Sequence, residues 1–349
     1  MKTSTKTGFY FQARAPLGLI PLGIAILSLN TTLLPAAPSN TVVATIQLSA
    51  FPGSLVVSPD SSLLYIGEND NNTVQVINTS TNAITATIAV GTLPFAMAIT
   101  PDGKTLYVTN ALDGTVSVIS TANNTVTTTL TVQQYPYAIA ISPDGTYAYV
   151  TNANSGNISI IDTTTNQVLS QSITVDGSPR NVVFSDSGDT AYVTSYIYPR
   201  RHADRAIFSA IDTSTQTFIF SNVLKKEDFA TYLVVSPQPP RMYIIRSTSV
   251  KSIRSTHIKS FNTQTNRYGE KFTIPATDIG FNAAITPDGK YLYIPNGGAV
   301  EMVEIASRAA TTFPAGDFAY TIAIAPNGHY AYVATGLNDQ IDVVDISGS

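Results

Sequence analysis

The 349-residue chain has no cysteine, which excludes disulfide bonds, thiolate metal sites and cysteine nucleophiles outright. It is also poor in charge, with 12% charged residues against 44% hydrophobic ones, a balance that suits one large core. Histidine is scarce. His202, His257 and His329 fall in different parts of the repeat described below and cannot converge on one metal or one nucleophile. No Ser-His-Asp set and no glycine-rich phosphate loop is present, and the sequence predicts no cofactor and no catalytic residue. No apolar run reaches the roughly 20 residues needed to span a bilayer. The longest candidate, Leu17–Leu29, is interrupted by Pro21; it follows Lys2, Lys6 and Arg14 and precedes the small residues Ala36, Ala37 and Ser39. That order is the pattern of a secretory signal peptide, with an uncleaved anchor as the alternative. Residues 1–40 are accordingly expected to be leader and linker, and residues 41–349 the folded domain, placed in the periplasm, on the cell surface or in the medium.

What is abundant is repetition. Ser142-Pro143-Asp144-Gly145 fits a type I turn, with proline presetting φ at the second place and glycine releasing the chain at the fourth. Tyr147-Ala148-Tyr149-Val150-Thr151 follows as an aromatic and β-branched strand. After the loop Asn152–Gly156, Asn157–Ile161 alternates polar and apolar as a half-buried strand does. With Ala138–Ile141 in front and Gln167–Ser170 behind, the unit contains four short antiparallel strands. Equivalent turns begin at residues 58, 100, 142, 185, 236, 286 and 325, spaced 42, 42, 43, 51, 50 and 39 apart. A period near 40–45 with four strands per copy predicts an all-β propeller of seven four-stranded blades. The last copy stops after its third strand, and Thr41–Leu48 is a spare strand able to complete it.

Tyr107-Val108-Thr109-Asn110 and Tyr149-Val150-Thr151-Asn152 resemble the YVTN family of β-propeller repeats, and Tyr192–Ser195 and Tyr332–Thr335 are looser copies. The resemblance covers roughly residues 41 to 346 and is closest in the first three copies. It implies a kinship with surface-layer antigens and exported proteins, and a shape similar to lactonase-like propellers and quinoprotein amine dehydrogenase β-chains. A shared fold hosts many functions, so the chemistry has to be sought in a site.

Two candidate sites share the face opposite the Pro-Asp-Gly turns. One is the residue just before each inner strand: Gly53, Phe95, Tyr137, Arg180, Thr231, Phe281 and Tyr320. Around a channel mouth these rings could stack on a flat ligand or sugar, with Arg180 taking a negative group; equally, aromatics there could simply cover blade edges. The other comprises the expected long loops of copies four and five, which carry Tyr196, Tyr198, Arg200, Arg201, His202, Arg205, Lys251 and Arg254. Of the 16 Lys and Arg after residue 40, 13 lie between residues 180 and 271, beside 7 acidic residues, whereas the rest of the domain has 3 basic and 16 acidic residues. Such a basic sector could steer an anionic partner or be merely a solvated surface. Nucleic acid is not expected to be that anion, because the domain carries 16 basic against 23 acidic residues. Glu68–Asn72 could offer oxygens to Ca²⁺ or be a plain polar loop. The sequence therefore predicts a monomeric binding scaffold for an envelope protein or anionic polysaccharide. The alternatives are a lactonase-like hydrolase and a surface-layer module without a discrete ligand.

Overall fold

The turn chemistry read from Ser142–Gly145 is realised atom by atom. Gly145 N–H donates to the Ser142 carbonyl at 2.8 Å, the Ser142 hydroxyl to Asp144 Oδ1 at 2.5 Å, and Thr146 N–H to the same oxygen at 3.0 Å. Gly145 has φ +76°, and a Cβ there would lie 3.3 Å from Pro101 Cδ of the preceding copy. Glycine is needed for both reasons. The turns thus stack on one another around one face of the ring.

A computed structural model describes residues 38–197, 205–224, 228–238, 240–250, 253–274 and 280–348, with residues 228–231, 247–250 and 253–254 described by their backbone alone. The signal-peptide expectation lies outside the described residues. Five antiparallel four-stranded sheets follow one another along the chain. They open with strands Pro52–Val57, Pro94–Ile99, Pro136–Ile141, Ser178–Phe184 and Asp228–Val235. These first strands touch their counterparts in the next sheet, so they are the inner strands lining the axis, and Pro52–Val57 also meets Ala310–Ile324 of the last sheet.

The expected count of seven blades is corrected to six. The sixth sheet has six strands, in the order Thr41–Gln47, Gln340–Asp345, Tyr330–Thr335, Ala310–Ile324, Tyr291–Glu304 and Ala284–Ile285. Copies six and seven share it because two strands, of 14 and 15 residues, run on where other copies turn. The loop of turn formers found at Asn152–Gly156 is reduced there to Gly297-Gly298, and Gly297 itself pairs with Ala319. Thr41–Gln47 pairs antiparallel with Gln340–Asp345, from Thr41 opposite Asp345 to Gln47 opposite Gln340. Ile46 packs with Leu55, Leu64 and Ile66 of the first sheet and Tyr332, Ile341 and Val343 of the last, which joins the two ends of the chain in one cluster.

The Tyr-Val-Thr-Asn run is explained by hydrogen bonds. Tyr107 is fully buried between sheets, and its hydroxyl donates to Asn166 Oδ1 of the next copy at 2.5 Å. Thr109 Oγ1 accepts from Ala96 N–H at 2.9 Å across the bulged start of the inner strand. Asn110 Nδ2 donates to Thr115 and Ser117 of the following strand, both at 2.9 Å. Each side chain satisfies a backbone or neighbour that would otherwise be buried without a partner.

Candidate functional site

The inner strands begin with a register shift. Pro94 pairs with Asn110 and Ala96 with Thr109, leaving Phe95 as an extra residue; Tyr137, Arg180 and Tyr320 are left over in the same way. Such a bulge re-aims a side chain away from the ladder. Here it turns these residues into a cavity of about 510 Å³ at one end of the channel, which Phe281 and Gly53 also line. In the fifth copy the shift falls at Ala230, one residue before Thr231, whose side chain lies outside the described residues.

The rings form a connected belt. Phe95 and Tyr137 have centroids 4.4 Å apart, Phe281 and Tyr320 4.3 Å, and Phe95 meets Phe281 edge-on at 6.4 Å, linking copies two and six across the mouth. The Arg180 guanidinium lies 4.4 Å from the Tyr137 ring centroid. A guanidinium held over an aromatic face retains the planar fork of N–H donors that suits a carboxylate. Phe281 remains 44% exposed, so the belt is open to solvent.

Arg180 is the one charged side chain among the described lining residues, and that lining has no carboxylate or imidazole. Tyrosines Tyr196, Tyr232 and Tyr320 converge with Tyr137. Burial, followed by the neighbouring phenols Tyr137, Tyr196 and Tyr320, raises the Tyr232 pKa well above the usual range; burial, then Tyr137 and Tyr135, does the same for Tyr320. Both phenols therefore remain protonated at neutral pH and able to donate.

Among the described lining residues, three buried polar atoms have no hydrogen-bond partner: Ser54 Oγ, Asn69 Oδ1 and Asn181 Oδ1. Asn69 is where it is because Gly53 has no side chain; the Asn69 carboxamide oxygen occupies the space a Cβ would take. Asn181 contrasts with Asn282, which holds the same place in its own copy. The Asn282 carboxamide donates to the Ile322 carbonyl and accepts from its N–H, each at 2.9 Å, so both its ends are used. An unmade hydrogen bond of this kind costs about 1–3 kcal/mol, which a ligand or water at the site offsets.

Not every predicted residue reaches the cavity. Tyr196 lines it, whereas Arg205 is exposed at the far end of its strand, opposite Ile197. Tyr198, Arg200, Arg201, His202 and Lys251 lie outside the described residues, and Arg254 is placed by its backbone alone, opposite Ser249. The expectation of long loops needs correcting. Ser195–Ile197 and Arg205 belong to strands, as do Ser247–Val250 and Ile253–Thr256, because serine, threonine and β-branched residues extend the hairpins ladder by ladder. The basic sector is partly interior: Arg246 is buried, and the Lys259 ammonium sits 3.6 Å from the Tyr268 ring centroid. His257 shares a 2.7 Å hydrogen bond with Thr273, and burial, then Lys271 and Arg246, lowers its pKa. Glu68 is spent inside the fold on Ser49, Thr73 and Gln75. Among the described residues no group of three or more His, Asp or Glu is arranged to hold a metal.

Sequence reasoning missed Ser54, Asn181 and Tyr232, and it offered Asn69 only within the Glu68–Asn72 oxygen cluster and not as part of this cavity. A signal existed for Asn181. The residue after Phe95 and after Tyr137 is alanine, and its replacement by asparagine after Arg180 marks a departure on the channel wall.

The profile of the YNCE-like β-propeller family matches residues 22–224. No curated protein matches the sequence. Among solved structures, the hydrazine synthase of Kuenenia stuttgartiensis is similar over 87% of this chain and 98% of that one, with a TM-score of 0.78 at 22% identity. At that identity the likeness carries the fold and nothing of the chemistry. The propeller part of the resemblance noted in the Tyr-Val-Thr-Asn runs stands, while the match does not show the YVTN-specific family or the kinship with surface-layer antigens. With a matched profile spanning more than half its length, the chain belongs to the YNCE-like β-propeller family.

Proposed function

We propose that this protein binds an anionic glycan of the cell envelope at the aromatic mouth of its channel. A propeller supports a binding or scaffold role in general. The observation that carries the finer reading is Arg180, the single charge in a described lining otherwise made of aromatic, aliphatic and neutral polar groups. An uncompensated guanidinium above an aromatic belt favours a carboxylate or sulfate borne on a ring. The basic-then-apolar order of residues 1–40 supports action outside the cytoplasm. Tyr196 extends the same wall toward the hairpin of copy four, where Arg200, Arg201 and Arg205 add positive charge in the sequence.

An array of acidic and neutral glycans, followed by calorimetry on the best binder, tests the proposal. Charge-assisted hydrogen bonds contribute about 1.5–3 kcal/mol, so Arg180→Ala should weaken the acidic ligand roughly 10- to 100-fold, and Arg180→Lys should recover part of the loss. Absence of any acidic ligand, or equal affinity in Arg180→Ala, refutes it.

A further inference from the structure

The cavity's unpartnered atoms have a chemical sense of their own. Asn69 Oδ1 and Asn181 Oδ1 are acceptors, and Ser54 Oγ can accept as well as donate. They come from copies one and four, whose inner strands are separated by those of other copies in both directions round the ring. Between them runs the belt of Phe95, Tyr137, Phe281 and Tyr320. A ligand that meets only Arg180 would leave two buried acceptors unpaired. An aromatic acid or a simple sulfate does so, because neither brings hydrogen-bond donors. A neutral sugar brings the donors and leaves the guanidinium without its counter-charge. One class of molecule answers both demands, and its C–H face also suits the rings.

Resting on the anion site proposed above, we infer that the cavity takes a sugar acid, with its carboxylate at Arg180 and its hydroxyls donating to Asn69 and Asn181. Such an acid could arrive free or as the terminal residue of an acidic polysaccharide. The carboxylate chemistry is shared by the two sources, and chain length distinguishes them.

The test uses the full chain, isothermal calorimetry and four probes: D-galacturonate, D-galactose, benzoate and tri-galacturonate. Galacturonate should bind at least 10-fold more tightly than either galactose or benzoate. Tighter binding of the trimer assigns the site to a polymer end, and equal binding assigns it to the free acid; both outcomes support the class. Two variants probe the polar wall without touching Arg180. Asn181→Ala places there the residue that follows Phe95 and Tyr137 in copies two and three, so the fold accommodates it. Gly53→Ala pushes away the flexible end of Asn69, because the new methyl would occupy the position of its carboxamide oxygen. Each should weaken galacturonate about 5- to 20-fold and leave benzoate within 2-fold. Benzoate binding as tightly as galacturonate, or both variants matching the wild type, overturns the sugar-acid assignment while leaving an anion site at Arg180. Failure of every anionic probe, or galactose binding as tightly as galacturonate, overturns the anion site itself and this inference with it.

Discussion

Glu68 offers a sharp test of how one copy of the repeat differs from the rest. It ends the strand Leu63–Glu68, is fully buried, and stands where other copies place Asn110, Asn152, Ser195 and Thr335. Its Oε1 accepts from the Ser49 N–H and hydroxyl, both at 2.9 Å, and its Oε2 from Thr73 Oγ1 and Gln75 Nε2, also at 2.9 Å. Burial alone would raise its pKa, but the hydrogen bonds from Gln75, Ser49 and Thr73 outweigh it and hold the carboxyl below 4.5. In Glu68→Gln the shape is kept, one oxygen becomes an NH₂, and two donors face a donor. Bonds to a charged acceptor contribute about 1.5–3 kcal/mol and neutral ones about 0.5–1.5. With the relieved cost of burying a charge set against that difference, the expected loss is about 2–3 kcal/mol at pH 7. For a chain of this size that lowers Tm by roughly 3–5 °C. The sign with pH follows from a depressed folded-state pKa. The contribution of Glu68 is complete above 4.5, its unfolded value, and is lost as pH falls through the lower folded value. Melts followed by circular dichroism at pH 7, 5, 4 and 3 should therefore show a wild-type advantage that holds to about pH 5 and shrinks toward pH 3. An advantage equal at pH 7 and pH 3, or none at pH 7, refutes the assignment of an ionised acceptor.

Two further outcomes are expected. Tyr107→Phe removes the 2.5 Å bond to Asn166 that ties one copy to the next and should lower stability by about 1 kcal/mol, read as a shift in the urea midpoint; an unchanged midpoint means the hydroxyl does not latch the sheets. Deleting residues 41–47 removes buried Ile46 and uncovers the edge strand Gln340–Asp345. A loss of at least about 3 kcal/mol and a tendency to associate through that edge should follow, and an unaltered melt with monomeric elution would sink the closure of the ring by Thr41–Gln47.

The regular part of this fold was legible because it is written locally. A turn such as Ser142–Gly145 needs only four residues to specify it, and the tyrosines Tyr65, Tyr107, Tyr149, Tyr192, Tyr293 and Tyr332, which follow the turns at regular offsets, are all buried between sheets. The sheet count was not legible, because Gly297-Gly298 reads as a turn by composition, yet the strand runs on through it and Gly297 pairs with Ala319. Serine- and threonine-rich stretches misled in the other direction. Ser247–Val250 and Ile253–Thr256 read as loop by composition, yet each residue finds a ladder partner across a long hairpin. The aromatic positions Phe95, Tyr137, Phe281 and Tyr320 could be picked out from their place in the repeat, since a fixed offset from each turn brings them to one end of the channel. Asn69 could not, because it reaches the cavity only through the gap left by a glycine 16 positions earlier in the chain.

That gap shows how a repeat acquires a site. A ring built of identical copies presents the same side chain at every bulge, and a ligand on its axis then binds in several equivalent orientations. Here the bulge positions carry glycine, phenylalanine, tyrosine, arginine, alanine and tyrosine in turn, so charge stands on one side and a carboxamide in a vacated space on another. The two asparagines make the same point with identical chemistry. Asn282 is consumed by the backbone of Ile322 and serves the fold, while Asn181 keeps a free oxygen beside Arg180. Stability asks only that the copies stay alike along their buried strands. Selectivity needs them to differ where those strands begin, and the bulge lets that residue vary without disturbing the ladder below it.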